Sequence, residues 1–564
     1  MSPPHPLDGR ARQGERQPMS GVRSHWAWGY EDRLPDQAAR EALAEQIGGL
    51  LGVAPPRCRP LPLLADVRVA PPRIQLPAGV PGTSALEDRV SHTYGRSYRD
   101  LVRGFRGDFA SAPDFVAYPE DEAQLASLLA FCTQEHVAAI PFGGGTSVVG
   151  GVEGDVRAPF RGVACIDMTR MGRVLEVDMV SRAARIQAGA MGPSLESELA
   201  QHGMTLRHFP QSFEFSTLGG WIATRAGGHF ATLYTHIDDL VESIRMVTPT
   251  GVFESRRLPA SGAGPAPDRW VLGSEGIFGV ITEAWVRVQP RPRWRASASV
   301  RFATFDAGVA AARSIAQSGL HPANCRLLDA REAMLHGVSG AGGDAVLLLG
   351  FESADHPLEP WMDRALALAS ATPGVGPSSE PVYRDAGERG ASEDAASWRR
   401  AFFEAPYLQS ALVTLGVVVD TFETACTWDR FPRLHEAVKV AVEGAMKAAC
   451  GGGVLTCRFT HVYPDGPAPY YTFLAPGRDD EQLDQWEQIK RAASDALLAN
   501  GATITHHHAV GRLHRPWYER ERPEPFGRAL IAAKRAVDPA GVMNPGVLVE
   551  GQGPATLAGP SGPR

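Results

Sequence analysis

Gly143-Gly144-Gly145-Thr146-Ser147, entered through Ile140-Pro141-Phe142, combines residue types suited to holding a pyrophosphate. Glycine has no Cβ, so the backbone can take φ > 0 and turn successive N–H groups toward an anion, and Thr146 and Ser147 add hydroxyl donors. Glycine triplets are also ordinary surface turns. A second chemistry-bearing cluster is His506-His507-His508, within Ile504-Thr505-His506-His507-His508-Ala509-Val510-Gly511. Read as a strand, it sends His506 and His508 to one face and His507 to the other, so the three do not all reach one site. Imidazoles ligate metals, but no carboxylate or cysteine accompanies these at ligand spacing, and no metal is expected. Tyr470-Tyr471, Arg326 in Cys325-Arg326-Leu327-Leu328-Asp329 and Arg458 in Thr456-Cys457-Arg458 are further residues able to move a proton or fix an anion. A core aromatic role for Tyr471 and a structural ion pair for Arg458 stand beside that reading.

Alternating strand and helix patterns surround the glycine loop. Residues 114–118 read as a short strand. Pro119 and Glu120-Asp121-Glu122 then open a helix with Leu125, Leu128, Leu129 and Cys132 on one face. Residues 137–140 form a strand that delivers the chain into the loop, and short strands follow at 163–167, 174–177 and 183–188. No G-x-G-x-x-G opens a βαβ unit, so a dinucleotide site here is not of the Rossmann kind. Nearer the N-terminus, 35–51 has helical spacing, with Pro35 suited to the first turn and Leu43, Ile47 and Leu50 on one side. The prolines of Pro290-Arg291-Pro292-Arg293 mark a boundary, beyond which a strand at 345–351 and a helix at 428–447 suggest a second α+β unit. No internal repeat is evident.

The 564 residues allow about two to four domains. Hydrophobic content of 44% and charged content of 21% are those of a globular chain, and 56 Lys+Arg against 63 Asp+Glu, a net charge of -7, argue against nucleic-acid binding. Seven scattered cysteines without a C-x-x-C pair fit reduced thiols in the cytoplasm, and Cys457 reads as a buried structural thiol. No apolar run spans a bilayer and no signal-peptide core opens the chain. The expected organisation is a disordered N-terminus (1–24), an N-terminal helical region (25–90), a first α+β domain (91–291), a second (292–500), a C-terminal segment completing the site (501–550) and a disordered tail (551–564). A further break, at 372–396, reads as a mobile loop.

Three more segments share the glycine and hydroxyl character of the loop. They are Phe209-Pro210-Gln211-Ser212-Phe213-Glu214-Phe215-Ser216-Thr217-Leu218-Gly219-Gly220-Trp221, Ala223-Thr224-Arg225-Ala226-Gly227-Gly228-His229, and Leu272-Gly273-Ser274-Glu275-Gly276-Ile277-Phe278-Gly279-Val280-Ile281-Thr282. In this order they resemble the FAD-binding domain of the vanillyl-alcohol-oxidase/p-cresol-methylhydroxylase superfamily. The resemblance implies an α+β fold in which a two-part FAD-binding domain is followed by an α+β cap domain. It places FAD over Pro141, Phe142 and residues 143–147, with Gln211, Ser212, Ser216, Thr217, Gly220, Thr224, Arg225, Ala226, Gly227, Glu275, Gly276, Gly279, Val280 and Ile281 completing the pocket. The pyrophosphate loop holds neither His nor Cys, so noncovalent FAD is expected.

The C-terminal motifs, with Phe422-Glu423-Thr424-Ala425-Cys426-Thr427-Trp428-Asp429-Arg430, Asp538-Pro539-Ala540-Gly541-Val542-Met543-Asn544-Pro545-Gly546 and, near the start, Trp28-Gly29-Tyr30-Glu31-Asp32, are similar to the alkyldihydroxyacetonephosphate synthase (alkylglycerone-phosphate synthase) family of ether-lipid enzymes. That resemblance covers about residues 26–548. It implies exchange of the acyl group of acyl-dihydroxyacetone phosphate for a fatty alcohol through a flavin N5 adduct. Tyr470 is then the acid/base, with Arg326, Arg458 and the three histidines as candidate cations to lower its pKa. One residue departs from the pattern: counting back from Arg430, the family's substrate-phosphate arginine falls on Gln409, which has no charge. Arg399 and Arg400 lie about three turns away on a helix. The alternative reading is therefore an FAD oxidoreductase acting on a hydroxy acid or alcohol, and a third is a flavin-binding scaffold. The expected partner is a small-molecule or lipid substrate and not nucleic acid; peripheral membrane contact and a homodimer stay open.

Overall fold

The computed structural model describes residues 21–155, 159–338, 344–371, 376–377, 381–384 and 393–550. Its architecture is α+β. A four-stranded sheet runs in the order Gly82–Thr83, Phe115–Ala117, Gly162–Asp167, Val137–Phe142, the last three parallel. Helix Glu122–Glu135 provides one crossover; the Asp121 carboxylate caps it by accepting from the Gln124 amide at 2.8 Å. Leu125, Leu128, Leu129 and Cys132 are buried, as their spacing requires. Each such leucine stabilises the fold by about 1.5–3 kcal/mol. His136 ends the helix in the left-handed conformation at φ 53, reversing the chain into Val137–Phe142. That strand delivers Gly143 at its carboxyl end, the edge where parallel sheets ordinarily bind ligands.

A five-stranded antiparallel sheet follows, in the order Val174–Asp178, Ala183–Gln187, Val280–Arg287, Val241–Thr248, Gly251–Glu254. Glu122 joins it to the first sheet, accepting from Arg245 Nε at 2.8 Å and from the Thr282 hydroxyl at 2.6 Å. The third sheet contains Trp294–Phe302, Ala345–Ser353, Asn324–Leu328, Val454–Val462, Pro467–Ala475 and Val418–Glu423 as successive antiparallel neighbours. Helices Phe431–Cys450 and Gln482–Ala499 bury Leu434, Val438, Val442, Met446 and Trp486 in the same core as Val418, Phe422 and Phe473. The N-terminal helix Gln37–Leu51 joins that core through Ala44 and Ile47, beside Trp26 and Trp28.

Several boundaries differ from the sequence reading. Asp36 caps the N-terminal helix, accepting from the Ala39 amide at 2.9 Å, so Pro35 precedes the cap instead of occupying the first turn. The expected helix at 428–447 runs Phe431–Cys450, with Pro432 in its first turn. Residues 21–24, read as part of a disordered terminus, pair back on themselves: Ser24 N donates to Gly29 O at 2.9 Å. Within the break at 372–396, Val382–Arg384 is a strand on Trp294–Phe302, and helix Glu393–Thr414 begins. Residues 1–20, 551–564 and, within that break, 372–375, 378–380 and 385–392 lie outside the described residues.

Candidate active site

The glycine loop is wedged between its own strand and the turn at 213–217. A Cβ on Gly144 would fall 1.5 Å from Phe215 O, and one on Gly143 would fall 2.3 Å from Thr217 Oγ1. Gly145 adopts φ +66, and its Cβ would strike the Phe142 ring at 2.4 Å. Arg23 and the Arg96 amide donate to the carbonyls of Gly144 and Ser147, at 3.1 and 2.6 Å. Among the described residues, the amides of 143–147 donate to no protein acceptor. Unpaired amides on a half-buried loop are an anion cradle, so the residues present fit the pyrophosphate of FAD.

The other cofactor candidates play more structural parts. The Ser216 hydroxyl donates to Ser212 O at 2.8 Å and accepts from Trp221 Nε1 at 2.7 Å. Thr217 caps helix Leu218–Thr224 through the Gly220 amide, and Thr224 bonds back to Gly220 O at 2.8 Å. Gln211 donates to Phe402 O at 3.0 Å, while Arg225 pairs with Asp238 at 2.7 Å. Gly276, at φ +77, sits against the Pro141 ring, and Gly279 backs onto Val247 O. Val280 and Ile281 pair with Val247 and Met246 in the sheet. Ala226 bonds to Trp221 O, and Gly227 approaches His507, where a Cβ would lie 3.0 Å from the histidine's own. Glu275 faces the C-terminal segment: its carboxylate accepts from Val510 N at 2.9 Å and Gly511 N at 2.8 Å. Burial, opposed by those two amides, raises its pKa to about 7.

The histidine triplet is not a strand. It bends around Glu423, at the end of Val418–Glu423, whose carboxylate accepts from the amides of His506 (2.5 Å), His507 (3.2 Å) and His508 (2.9 Å) and from the Thr505 hydroxyl (2.6 Å). Successive amides pointed at one anion force the curvature, and the three rings gather on one side, with adjacent centroids 5.2 and 4.8 Å apart. The expectation that they diverge is thereby corrected. Burial pushes the Glu423 carboxyl up, but the hydrogen bonds from the Thr505 hydroxyl and the His508 amide oppose it and keep the carboxyl below its ordinary value. Burial keeps His506 and His507 well below the ordinary imidazole value and lowers His508. The three histidines are therefore neutral and are not the cations that were to lower the Tyr470 pKa.

Cross-strand register places Tyr470 opposite both Arg458 and Glu423, and Arg458 opposite Leu328, so one face of the third sheet presents these groups together with Arg326. The Arg458 guanidinium lies over the Tyr470 ring at 3.9 Å, and Tyr470 Oη donates to Thr421 Oγ1 at 2.9 Å. Burial raises the Tyr470 pKa, while Arg458 and then Thr421 pull it back, leaving a phenol protonated at neutral pH. Tyr471, one residue on, points through the opposite face to His435 Nδ1 at 3.1 Å and is a core residue. Arg458 is ion-paired with buried Glu332. Among the described residues the Arg326 guanidinium hydrogen-bonds only to His229, at 3.1 Å to Nδ1 and 2.7 Å to the carbonyl, lies over the Trp398 and Phe402 rings, and leaves Nε unpartnered; burial followed by neighbouring Arg458 brings its pKa down to about 9. Arg326 is thus a buried, charged group able to meet an anion. Gln409 turns toward the N-terminal arm, accepting from Trp28 Nε1 at 3.2 Å, and Arg399 and Arg400 are exposed on the same helix.

Sequence reasoning passed over Glu423 as a site residue, although it stood in a quoted motif. It also gave no role to Thr421, Glu332, His229, His236 or His461. Asn544, likewise in a quoted motif, donates to Gly151 O and Glu275 O and ties the C-terminal segment to the glycine loop.

Residues 113–255 match the FAD binding domain and residues 291–548 the C-terminal domain of FAD linked oxidases. The alkyldihydroxyacetonephosphate synthase of Trypanosoma brucei brucei is 30% identical over 486 residues, 82% of this chain and 77% of that protein. The chain belongs to the alkyldihydroxyacetonephosphate synthase family. It is an FAD-dependent enzyme. A solved alkyldihydroxyacetonephosphate synthase superposes with a TM-score of 0.77 at 26% identity, over 93% of this chain and 98% of that one. The mitochondrial D-lactate dehydrogenase (cytochrome) of Arabidopsis thaliana is 26% identical over 473 residues, 82% of this chain and 78% of that protein.

Proposed function

We propose that the protein exchanges the acyl group of an acyl-dihydroxyacetone phosphate for a fatty alcohol, a step of ether-lipid synthesis with no net redox change. The observation that carries this reading is the single sheet face bearing Arg326, Arg458, Tyr470 and Glu423. FAD, when bound, supplies a ring that can accept and return an electron pair. The amides of 143–147 hold its pyrophosphate. Tyr470 Oη is the proton carrier: Thr421 fixes its direction, and Arg458 over the ring favours the phenolate when the proton leaves. Arg326 is the cation free to orient an anionic head group. His508, on the edge of the Tyr470 ring at 5.4 Å between centroids, is kept neutral by burial and adds no charge beside the phenol. Purified, FAD-loaded protein given acyl-dihydroxyacetone phosphate and a labelled long-chain alcohol should release fatty acid and form an alkyl product. No alkyl product would defeat the reading.

Gln409 favours a second reading. A glutamine held by Trp28 offers no charge to a phosphate dianion, and the D-lactate dehydrogenase relative belongs to a redox class. An FAD oxidoreductase acting on a hydroxy acid or alcohol would bleach the oxidised flavin during anaerobic titration with such substrates. Unchanged absorbance across a broad panel would remove this alternative.

A further inference from the structure

Four imidazoles from separate parts of the chain converge, His507 of them 6.0 Å from the Tyr470 ring between centroids, and only two belong to the triplet conspicuous in the sequence. His236 precedes the turn Ile237–Asp239 in the FAD-binding half, His461 lies on the cap strand Val454–Val462, and His506 and His507 lie on the bend around Glu423. One ligand nitrogen from each of His461, His506 and His507 falls within 4.8 Å of the other two. His236 Nε2 is 3.2 Å from His506 Nε2, and Tyr463 Oη is 2.8 Å from the same nitrogen. On a tetrahedral ion with bonds of about 2.0–2.1 Å, ligand nitrogens stand about 3.3 Å apart. His507 Nδ1 stands 3.0 Å from His506 Nδ1, the other nitrogen of that ring, so closing all four imidazoles on one ion takes a turn of the His507 ring toward His506 Nε2.

The surroundings suit a cation. Gly228 O accepts from His461 Nε2 at 2.9 Å, fixing that ring's tautomer as outer hydrogen bonds to ligating histidines do. His236 Nδ1 is buried without a protein partner. The Glu423 carboxylate, 3.5 Å from His507 Nδ1, supplies negative charge behind the cluster. We propose that His236, His461, His506 and His507 bind one divalent transition-metal ion of the zinc type, joining the FAD-binding half, the cap and the C-terminal segment at a single point. An all-imidazole set selects zinc, copper, nickel or iron over the oxygen-seeking magnesium and calcium.

The test uses full-length, FAD-loaded protein purified without a metal-affinity step, stripped with chelator, then dialysed against Zn²⁺ and desalted. Elemental analysis should find about one zinc per chain, with Mg²⁺ not retained under the same treatment. His461→Gln and His236→Asn should each bind zinc at least about 10-fold more weakly while keeping the flavin content of the wild type. Co²⁺ substituted into the wild type should show the intense visible bands of a four-coordinate ion, a readout that needs no variant. Zinc near zero in the wild type, equal retention by the two variants, or a pale six-coordinate cobalt spectrum would each overturn the proposal.

Discussion

Tyr470 is held between a burial that keeps its proton on and an arginine that helps take it off. Replacing it by phenylalanine removes the hydroxyl and leaves the packing, so turnover should drop by about 10²–10⁴-fold with FAD content unchanged. Steady-state product formation beside the flavin spectrum checks both halves of that statement. Glu423 acts differently, by shaping the bend that carries the histidines. Glu423→Gln leaves those amides without a charged acceptor and should destabilise the protein by about 1.5–3 kcal/mol, read by urea unfolding. A variant as stable as the wild type would show that the carboxylate does not hold the bend. The residue types of His506 to His508 were plain in the sequence, but their geometry was not. The anion that curves them lies 83 residues earlier at His506, beyond the reach of any local periodicity. Sequence separation also hid His236, 270 residues before His506, and His461, neither of which sits in a motif of its own.

Elements whose signals are local were the most legible. Helix Glu122–Glu135 announced itself by its cap and apolar spacing, and Val137–Phe142 by its apolar run into glycine. Where competing turn chemistry mattered, as with Asp36 against Pro35, the cap prevailed. At the glycine loop the sequence showed which residues were needed but not what pressed on them, since Phe215 and Thr217 arrive from a later turn. Gly144→Ala forces a Cβ onto the Phe215 carbonyl, backbone against backbone, at a cost of about 1–3 kcal/mol, and should weaken FAD affinity about 10-fold. Flavin fluorescence titration measures this, and wild-type affinity would refute the cradle. Glu275 makes a pH prediction for the turn it anchors. Its carboxyl rises from 4.5 to about 7 on folding, so the protonated form is favoured in the native state. The stability it contributes is complete below 4.5 and is lost as pH rises through 7. The wild type should therefore lose about 3 kcal/mol relative to Glu275→Gln between those limits and nothing further above them. Urea unfolding of both proteins at pH 5, 6, 7 and 8 gives the slope, and a pH-independent difference contradicts it.

At the scale of the whole molecule, the site belongs to no single half. The glycine loop comes from the first sheet, Tyr470 and Arg458 from the third, and the C-terminal segment stitches them through Glu275, Asn544 and Glu423. A ligand bound across such a junction should stabilise the entire chain. FAD at 100 times its dissociation constant is expected to add about 2.7 kcal/mol, seen as a rise in melting temperature over the apoprotein. The cofactor was readable from four linked motifs, whereas the choice between transfer and oxidation rests on Gln409 and on what Arg326 binds. Product analysis under anaerobic conditions decides that choice most directly: FAD-loaded protein is mixed with acyl-dihydroxyacetone phosphate and a fatty alcohol, and the alkyl product is quantified while the flavin spectrum is followed. The account predicts alkyl product and released fatty acid in equal amounts, with the flavin oxidised at the end. Persistent flavin reduction without alkyl product would contradict it.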